Sequence, residues 1–377
     1  MRILLVGGAV RDMLLGRAAE NRDFLVLDAT REEFLRRFPE AREVGKSFPV
    51  FLVGRDEYAF PRGAHLTEDL AARDLTVNAL SLDESGGLFC HPRALEDLRN
   101  RVLRPASERS LPDDPLRVFR AARFLACLPG FSAHPELIET MQGVARAGLL
   151  AGVSAERVGQ ETQKALAGPR PGLFVTLLAE AGCLDPWFSD LAQAPLTPAG
   201  PAPHHAGDLL AHTIAVMDRL AGDALAVWMG LCHDLGKTTT DPALWPKHHG
   251  HEQAGGALAA SLAERLRLSN RFRQAGEAAA ALHMIAGRYP ELKPGTRVDL
   301  LVRLAAKRLV GRMFRLALAD TGEDFSAEAR ADLSAVESVH LPPEERGLGA
   351  ASGEKLRQLR AQAVAERRRG VLTTPRQ

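Results

Sequence analysis

Four cysteines in 377 residues, at Cys90, Cys127, Cys183 and Cys232, never come as a CxxC pair. Their scatter argues against a zinc–thiolate site and for a reducing compartment. Long apolar runs are missing too. The longest stretches fall far short of a bilayer's thickness, and the N-terminus has no charged region followed by a long apolar one, so the expectation is a cytoplasmic protein without membrane contact. Net charge is also lacking: 48 Lys and Arg against 47 Asp and Glu leave +1. That balance gives no global signal for nucleic acid, although it can conceal a local basic face. Neither an internal repeat nor a low-complexity tract occurs. A hydrophobic content of 46% is ordinary for a globular chain long enough for two or three domains.

The first hundred residues mix short β-type runs with helical ones. Ile3–Val6, Phe24–Leu27, Val50–Val53 and Tyr58–Phe60 are the expected strands, and Met13–Leu15 and Glu32–Phe38 sit in helical patterns. From Leu111 onward the pattern is helix after helix. In "DDPLRVFRAARFLACL", Leu116, Phe119, Ala122 and Phe124 share one side, with arginines between them. "APLTPAGPAPHHAG", residues 194–207, is the clearest linker and the expected domain boundary. A basic helix, "GEKLRQLRAQAVAERRRG", closes the chain.

Chemistry gathers in two stretches. In the first, Gly7 and Gly8 end a strand and open a helix, where backbone N–H groups approach phosphate closely, and Arg11 adds a bidentate donor beside Asp12. Asp23 begins the next strand, where a D-x-D pair would hold two Mg²⁺ ions. Position 21 carries Asn21, an amide without charge, and Glu57 in "DEYAFPR" is the candidate third acid. In "ARDLTVNAL", Arg73, Asp74 and Asn78 fall at helical spacings. In "DDPLRVFRAARF", Asp114, Arg117, Arg120 and Arg123 recur every three residues, with acceptors and donors able to imitate a base's pairing partner. Each segment has an ordinary structural explanation as a tight turn or a solvated, salt-bridged helix face. Their order is what discriminates.

"GGAVRD", "RDF", "RDLTVNAL" and "DDPLRVFRAARF", continued by "FPVFL", "EDLRNRVLRP" and "LCHDLGK", resemble the successive motifs of class II tRNA nucleotidyltransferases, the CCA-adding enzymes and their poly(A) polymerase relatives, in the bacterial branch with an HD domain. The resemblance covers most of the chain. It implies an α+β fold in which a small mixed-sheet nucleotidyltransferase head precedes an all-α neck, body and HD domain. The expected boundaries are 1–104 for the head, 105–195 for a neck with the nucleotide-template helix and RNA binding, 204–310 for the HD domain and 311–377 for a helical tail. By the same resemblance Gly7, Gly8, Arg11 and Asp12 hold a triphosphate, and Asp23 and Asn21 bind Mg²⁺ with Glu57 near. Arg73, Asp74 and Asn78 contact sugar and phosphates, Asp114 and Arg117 template the incoming base, and Arg120 and Arg123 complete the pocket. Partners would be the tRNA 3′ end and CTP, with ATP as a further nucleotide.

Three positions depart from the family pattern. Asn21 replaces an aspartate, Ala72 replaces the first arginine of an R-R-D, and His91 in "CHPRALEDL" stands where Asp precedes Pro. The interval from Arg62 to Arg73 is also short, which resembles the CC-adding enzymes.

The second stretch is "LCHDLGK", with His233 and Asp234, preceded by His212 and followed by His248, His249 and His251. Adjacent His-Asp with remote histidines suits a divalent-metal phosphohydrolase and resembles the HD superfamily, with Mn²⁺ or Ni²⁺ as the metal. That superfamily closes its site with a later Asp. The matched position, after His283 in "ALHMIAG", is Met284, which leaves His283 or His251 to complete the set. Two further readings remain: an HD-type phosphohydrolase whose head only binds RNA, and a non-catalytic tRNA-binding paralogue.

Overall fold

The computed structural model describes residues 1–19, 22–44, 49–61, 65–201 and 207–373. Asn21, the partner expected for Asp23, lies outside the described residues, as does Arg62. The chain forms two compact units: Met1–Arg157 with Leu173–Pro186, and Val158–Gly172 with Trp187–Gln377.

The first unit opens with β1 (Arg2–Val6), α1 (Gly8–Leu14), β2 (Asp23–Leu27), α2 (Arg31–Arg37), β3 (Arg42–Val44), β4 (Val50–Val53) and β5 (Asp56–Ala59). It continues through α3 (Leu66–Ala71), β6 (Leu80–Leu82), β7 (Leu88–Cys90), α4 (Ala94–Asn100) and β8 (Val102–Leu103). Seven strands form one mixed sheet in the order β3-β4-β5-β2-β1-β6-β7. β2 is central and buried on both faces, so "DFLVL" reads as a nearly continuous apolar run. Leu25 and Leu27 pack with Leu4 and Val6, while Val26 turns the other way toward Phe34, Phe51 and Tyr58. A capping box starts α2: the Glu33 N–H donates to Thr30 Oγ1 and the Thr30 N–H to the Glu33 carboxylate.

"ARDLTVNAL" is not one helix. α3 stops at Ala71, Leu75 bridges to Pro105, and a single 3₁₀ turn covers Thr76–Asn78. Helices α5 (Ser110–Asp113) and α6 (Leu116–Cys127), the short strand β9 (Ser132–Ala133) and α7 (Pro135–Arg146) follow. α6 is buried nearly all round, Arg117 included, instead of presenting one apolar stripe.

Helices α8 (Ala155–Leu166) and α9 (Gly172–Glu180) come next. The second unit then carries α10 (Leu209–Arg219), α11 (Ala224–Cys232), α12 (His251–Arg265), α13 (Asn270–Gly287), α14 (Pro294–Ala306), α15 (Val310–Thr321), α16 (Ser326–Ser338) and α17 (Ala350–Thr373). Every residue of α11 from Leu225 to Cys232 is buried, which carries the His-Asp pair at its end into the interior. The proline-rich stretch is tied into this unit: Ala199 O accepts from Lys237 Nζ, and Pro198 bridges to Asp208. Among the described residues no helix is long and apolar enough to cross a membrane.

Candidate functional site

The strand register assembles the head site. Val6 pairs with Asp23 across antiparallel β1 and β2, and Asp23 pairs with Glu57 across parallel β2 and β5. Laterally paired residues share a face, so the Gly7–Gly8 turn, Asp23 and Glu57 meet at one end of the sheet. Gly7 sits at φ 72°, a conformation that favours glycine, and a Cβ there would lie 3.2 Å from Arg73 Nη1. Partial desolvation raises the Asp23 carboxyl, against the opposing pull of the Arg73 and Arg120 charges. Two carboxylates beside cationic side chains suit hard divalent cations and a polyanionic ligand.

A polar relay backs this end. Buried Arg11 donates through Nη1 to Asn78 Oδ1 at 2.6 Å and through Nη2 to Asp12 at 2.9 Å. Asn78 donates in turn to Asp74 Oδ1 at 3.0 Å, and Arg120 grips Asp74 Oδ2 at 2.7 and 2.9 Å. Burial alone would raise Asp74, but Arg120, Asn78 and the Leu75 N–H hold it far below the usual carboxylate range. Arg73 is set by buried Asp69, 3.0 Å away. Burial lowers Arg11 despite Asp12. The guanidinium of Arg123 lies 4.0 Å from the Phe124 ring centroid, with those of Arg11 and Arg120 at 5.1 and 5.6 Å.

Asp114 and Arg117, the expected template pair, are arranged differently from a solvent-facing stripe. Arg117 Nη1 donates to Ser110 O at 2.6 Å, and Asp114 lies 3.2 Å from Arg157 but 4.0 Å from Arg117. His91, where the family pattern has Asp, accepts the Arg93 N–H on Nδ1 at 3.2 Å. A carboxylate two residues upstream makes the same turn contact, so imidazole substitutes for it.

The second unit brings six side chains to one buried point. His212 Nε2 lies 3.2 Å from His233 Nε2 and 3.0 Å from Asp320 Oδ1. His233 Nε2 is 3.2 Å from Asp234 Oδ2. His283 and His251 direct Nε2 at Asp234 Oδ1, 3.2 and 3.5 Å away. In His233, His251 and His283 the Nδ1 faces a backbone carbonyl, of Gly230, His248 and Ala279 respectively. A carbonyl only accepts, so Nδ1 carries a proton, and Nε2 faces the centre, where it can offer a lone pair to a cation once its own proton is lost. Asp234 Oδ1, His251 Nε2 and Asp320 Oδ1 are buried without a hydrogen bond. Burial opposes charge on both acids, yet His233, His283 and Lys237 hold Asp234 well below its usual range, and His212 and His233 hold Asp320 at about 2. Orphaned acceptors converging on one point, with imidazole and carboxylate mixed, fit a divalent transition metal.

Asp320 on α15 therefore corrects the reading of Met284. Met284 is 42% exposed and absent from the cluster. The carboxylate that joins the cluster comes from the next helix but one, beyond the expected end of the HD segment.

The chain is 36% identical over 405 residues to the multifunctional CCA protein of Methylococcus capsulatus, covering 97% of this chain and 94% of that protein. The chain belongs to the class II tRNA nucleotidyltransferase family, the CCA-adding enzymes and poly(A) polymerases. Its family segments are a poly(A) polymerase head domain at residues 3–60, a probable RNA- and SrmB-binding site of polymerase A at 130–194 and an HD domain at 208–309. The fold is shared with the Thermotoga maritima CCA-adding enzyme complexed with tRNA (19% identity, 97% and 87% of the two chains, TM-score 0.65). It is shared also with a CCA-adding enzyme complexed with CTP (18%, 99% and 92%, TM-score 0.64).

Within this nucleotidyltransferase, the structure gathers Gly7, Gly8, Arg11, Asp12, Asp23, Glu57, Arg73, Asp74, Asn78, Arg120 and Arg123 around the head site. It also gathers His212, His233, Asp234 and His251 in the HD site. Sequence reasoning missed Asp69, Phe124, Lys237 and Asp320. For Lys237 the signal was present in "HDLGK"; Asp320 in "LALADTGE" has no marking neighbour.

Proposed function

We propose that the head transfers cytidylyl groups from CTP to tRNA 3′ ends. The terminal hydroxyl attacks the α-phosphorus, a P–O bond forms, and the bond to the β-phosphate breaks to release pyrophosphate. Arg11, Arg73 and Arg120 neutralise the triphosphate, and the Asp74–Asn78–Arg11 relay keeps those donors aimed before the nucleotide arrives. Asp23 and Glu57 would hold Mg²⁺, which when bound supplies charge stabilisation at the reacting phosphate. The observation that carries this reading is the register that sets Asp23 beside Glu57 at the glycine turn. Asn21 brings no charge to that cluster, so Asn21→Asp is expected to raise incorporation by orders of magnitude.

We further propose that addition stops after two cytidines. A switch from cytosine to adenine needs a mobile element able to re-aim the template residues. The described part of the short interval is instead packed: Leu70 is buried against Ala79 and Ala106, and Asp69 fixes Arg73. The test supplies trimmed tRNA with CTP, ATP or both, to the chain as written and to Asn21→Asp, and reads product length on a denaturing gel. The expected product ends in CC under every mixture containing CTP. Efficient terminal adenosine addition overturns it.

A second activity is favoured by Asp320. With His212, His233 and Asp234 it completes a His/carboxylate set for Mn²⁺ or Ni²⁺, and we propose phosphohydrolase activity there.

A further inference from the structure

The second unit also holds a cavity of about 300 Å³, at the small end of ligand pockets. Four arginines line it: Arg308 from the turn between α14 and α15, Arg312 and Arg315 from α15, and Arg330 from α16. Among the described residues that line it, the one acid is Asp223, so four guanidinium groups against one carboxylate leave an excess of +3. From that excess and its arrangement we infer that the cavity binds a small phosphorylated anion, with one or two phosphate groups. The place is distinct from the HD cluster. Asp223 caps the start of α11 and His233 its end, so about 15 Å of helix separates the two.

The protein does not neutralise these arginines by itself. Asp223 is already committed: it accepts the Leu225 and Ala226 N–H groups at 3.1 and 3.2 Å and Arg312 Nε at 2.8 Å, with Arg315 Nη1 3.6 Å away. Burial opposes its charge, yet Arg312, the Ala226 N–H and Arg315 hold it below the usual carboxylate range. Because Arg312 is gripped through Nε, its two Nη groups make no hydrogen bond among the described residues. Arg315 Nη2 reaches the Leu220 carbonyl at 3.5 Å. Neither Arg308 nor Arg330 forms an ion pair among the described residues. Asp324, whose charge Arg330 feels, is itself held by the hydroxyl and N–H of Ser326. Like-charged guanidinium groups that share one cavity repel, and an oriented fork with open Nη donors matches the oxygens of a phosphate. One bound anion relieves the repulsion and takes up the donors. The shape favours a small molecule over a polynucleotide, because a phosphate strand is tracked along an open groove, whereas these arginines line a concavity with Val310 and Phe314 in its wall. Gly311 lines it too, and a Cβ there would meet nothing within 4 Å, so the space beside it is open.

The test titrates the full-length, metal-stripped chain with inorganic phosphate and with pyrophosphate by calorimetry, beside two variants. Arg308→Gln with Arg330→Gln removes the two unpaired charges, while Gly311→Leu fills the cavity and keeps all four arginines. All three positions are exposed, and matching circular dichroism spectra and melting midpoints check the fold. Binding in the head is common to the three proteins, so the difference between their isotherms reports the cavity. The expected result is a loss of anion affinity of tenfold or more in both variants, with affinity for trimmed tRNA unchanged. Tighter binding of pyrophosphate than of phosphate then assigns two phosphate groups to the ligand, and equal binding assigns one. Identical isotherms in all three proteins overturn the proposal. A loss in only one variant overturns it as well; if that is the arginine variant and tRNA binding weakens with it, the arginines belong to a nucleic-acid surface.

Discussion

Arg117 shows how burial changes the meaning of a motif residue. As one arginine in a periodic stripe it has the look of a solvated charge, yet only 7% of it is exposed and its guanidinium holds the Ser110 carbonyl at 2.6 Å. Rigid support of that kind is what a base-reading donor requires, because a directional contact discriminates only when it cannot swing away. Arg117→Ala is therefore expected to blur discrimination between CTP and UTP more than it weakens triphosphate binding. Losing a buried donor costs roughly 1–3 kcal/mol, enough for a tenfold change in selectivity. Single-nucleotide incorporation with each of the four triphosphates checks it, and equal losses for all four would make Arg117 a packing residue.

At the scale of elements, the HD centre depends on a close backbone approach. Gly236, two residues after Asp234, runs against α12 so tightly that a Cβ would stand 2.0 Å from the His251 carbonyl and 2.7 Å from the Gly255 N. Gly236→Ala must push α12 away, and His251 moves with it. The expected outcome is a loss of Mn²⁺ affinity of tenfold or more with a modest fall in thermal midpoint, measured by calorimetric titration and melting. A different logic holds the closing helices. Arg297, fully buried, lies 2.8 Å from Asp332 and 4.4 Å from the Tyr289 ring centroid, while Tyr289 and Arg367 also bond Asp332. The basic run of α17 is thus partly engaged internally. Arg297→Met removes one of the two guanidinium partners of a buried carboxylate, with Arg367 and Tyr289 remaining, and should cost about 1–3 kcal/mol. Urea unfolding gives the measure, and adding Asp332→Leu should recover part of the loss.

For the molecule as a whole, the two sites belong to separate compact units, so their chemistry should separate. His233→Ala with Asp234→Ala is expected to abolish metal-dependent phosphatase or 2′,3′-cyclic phosphodiesterase activity while cytidine addition continues. Hydrolysis that survives the double substitution would place that activity elsewhere. Parallel assays on one preparation, with trimmed tRNA and with a chromogenic phosphate ester, decide it.

The sequence by itself determined the elements whose information is local. The glycine turn, the strands β1 and β2, the helical second half and the family order of "GGAVRD", "RDLTVNAL" and "DDPLRVFRAARF" all lie within short windows, where period, turn chemistry and spacing are legible. Tertiary structure decided what depends on distant partners. Asp23 meets Glu57 only through strand register, and Asn78 reaches Asp74 through a 3₁₀ turn instead of the helix that the spacing implied. Asp320 joins the His/Asp cluster from a helix whose sequence carries no mark of it, while Met284, next to His283 in the chain, faces outward. A ligand set is a property of side-chain atoms converging in space. Spacing along the chain constrains which residues share one element, but which elements then face one another is set by packing the core.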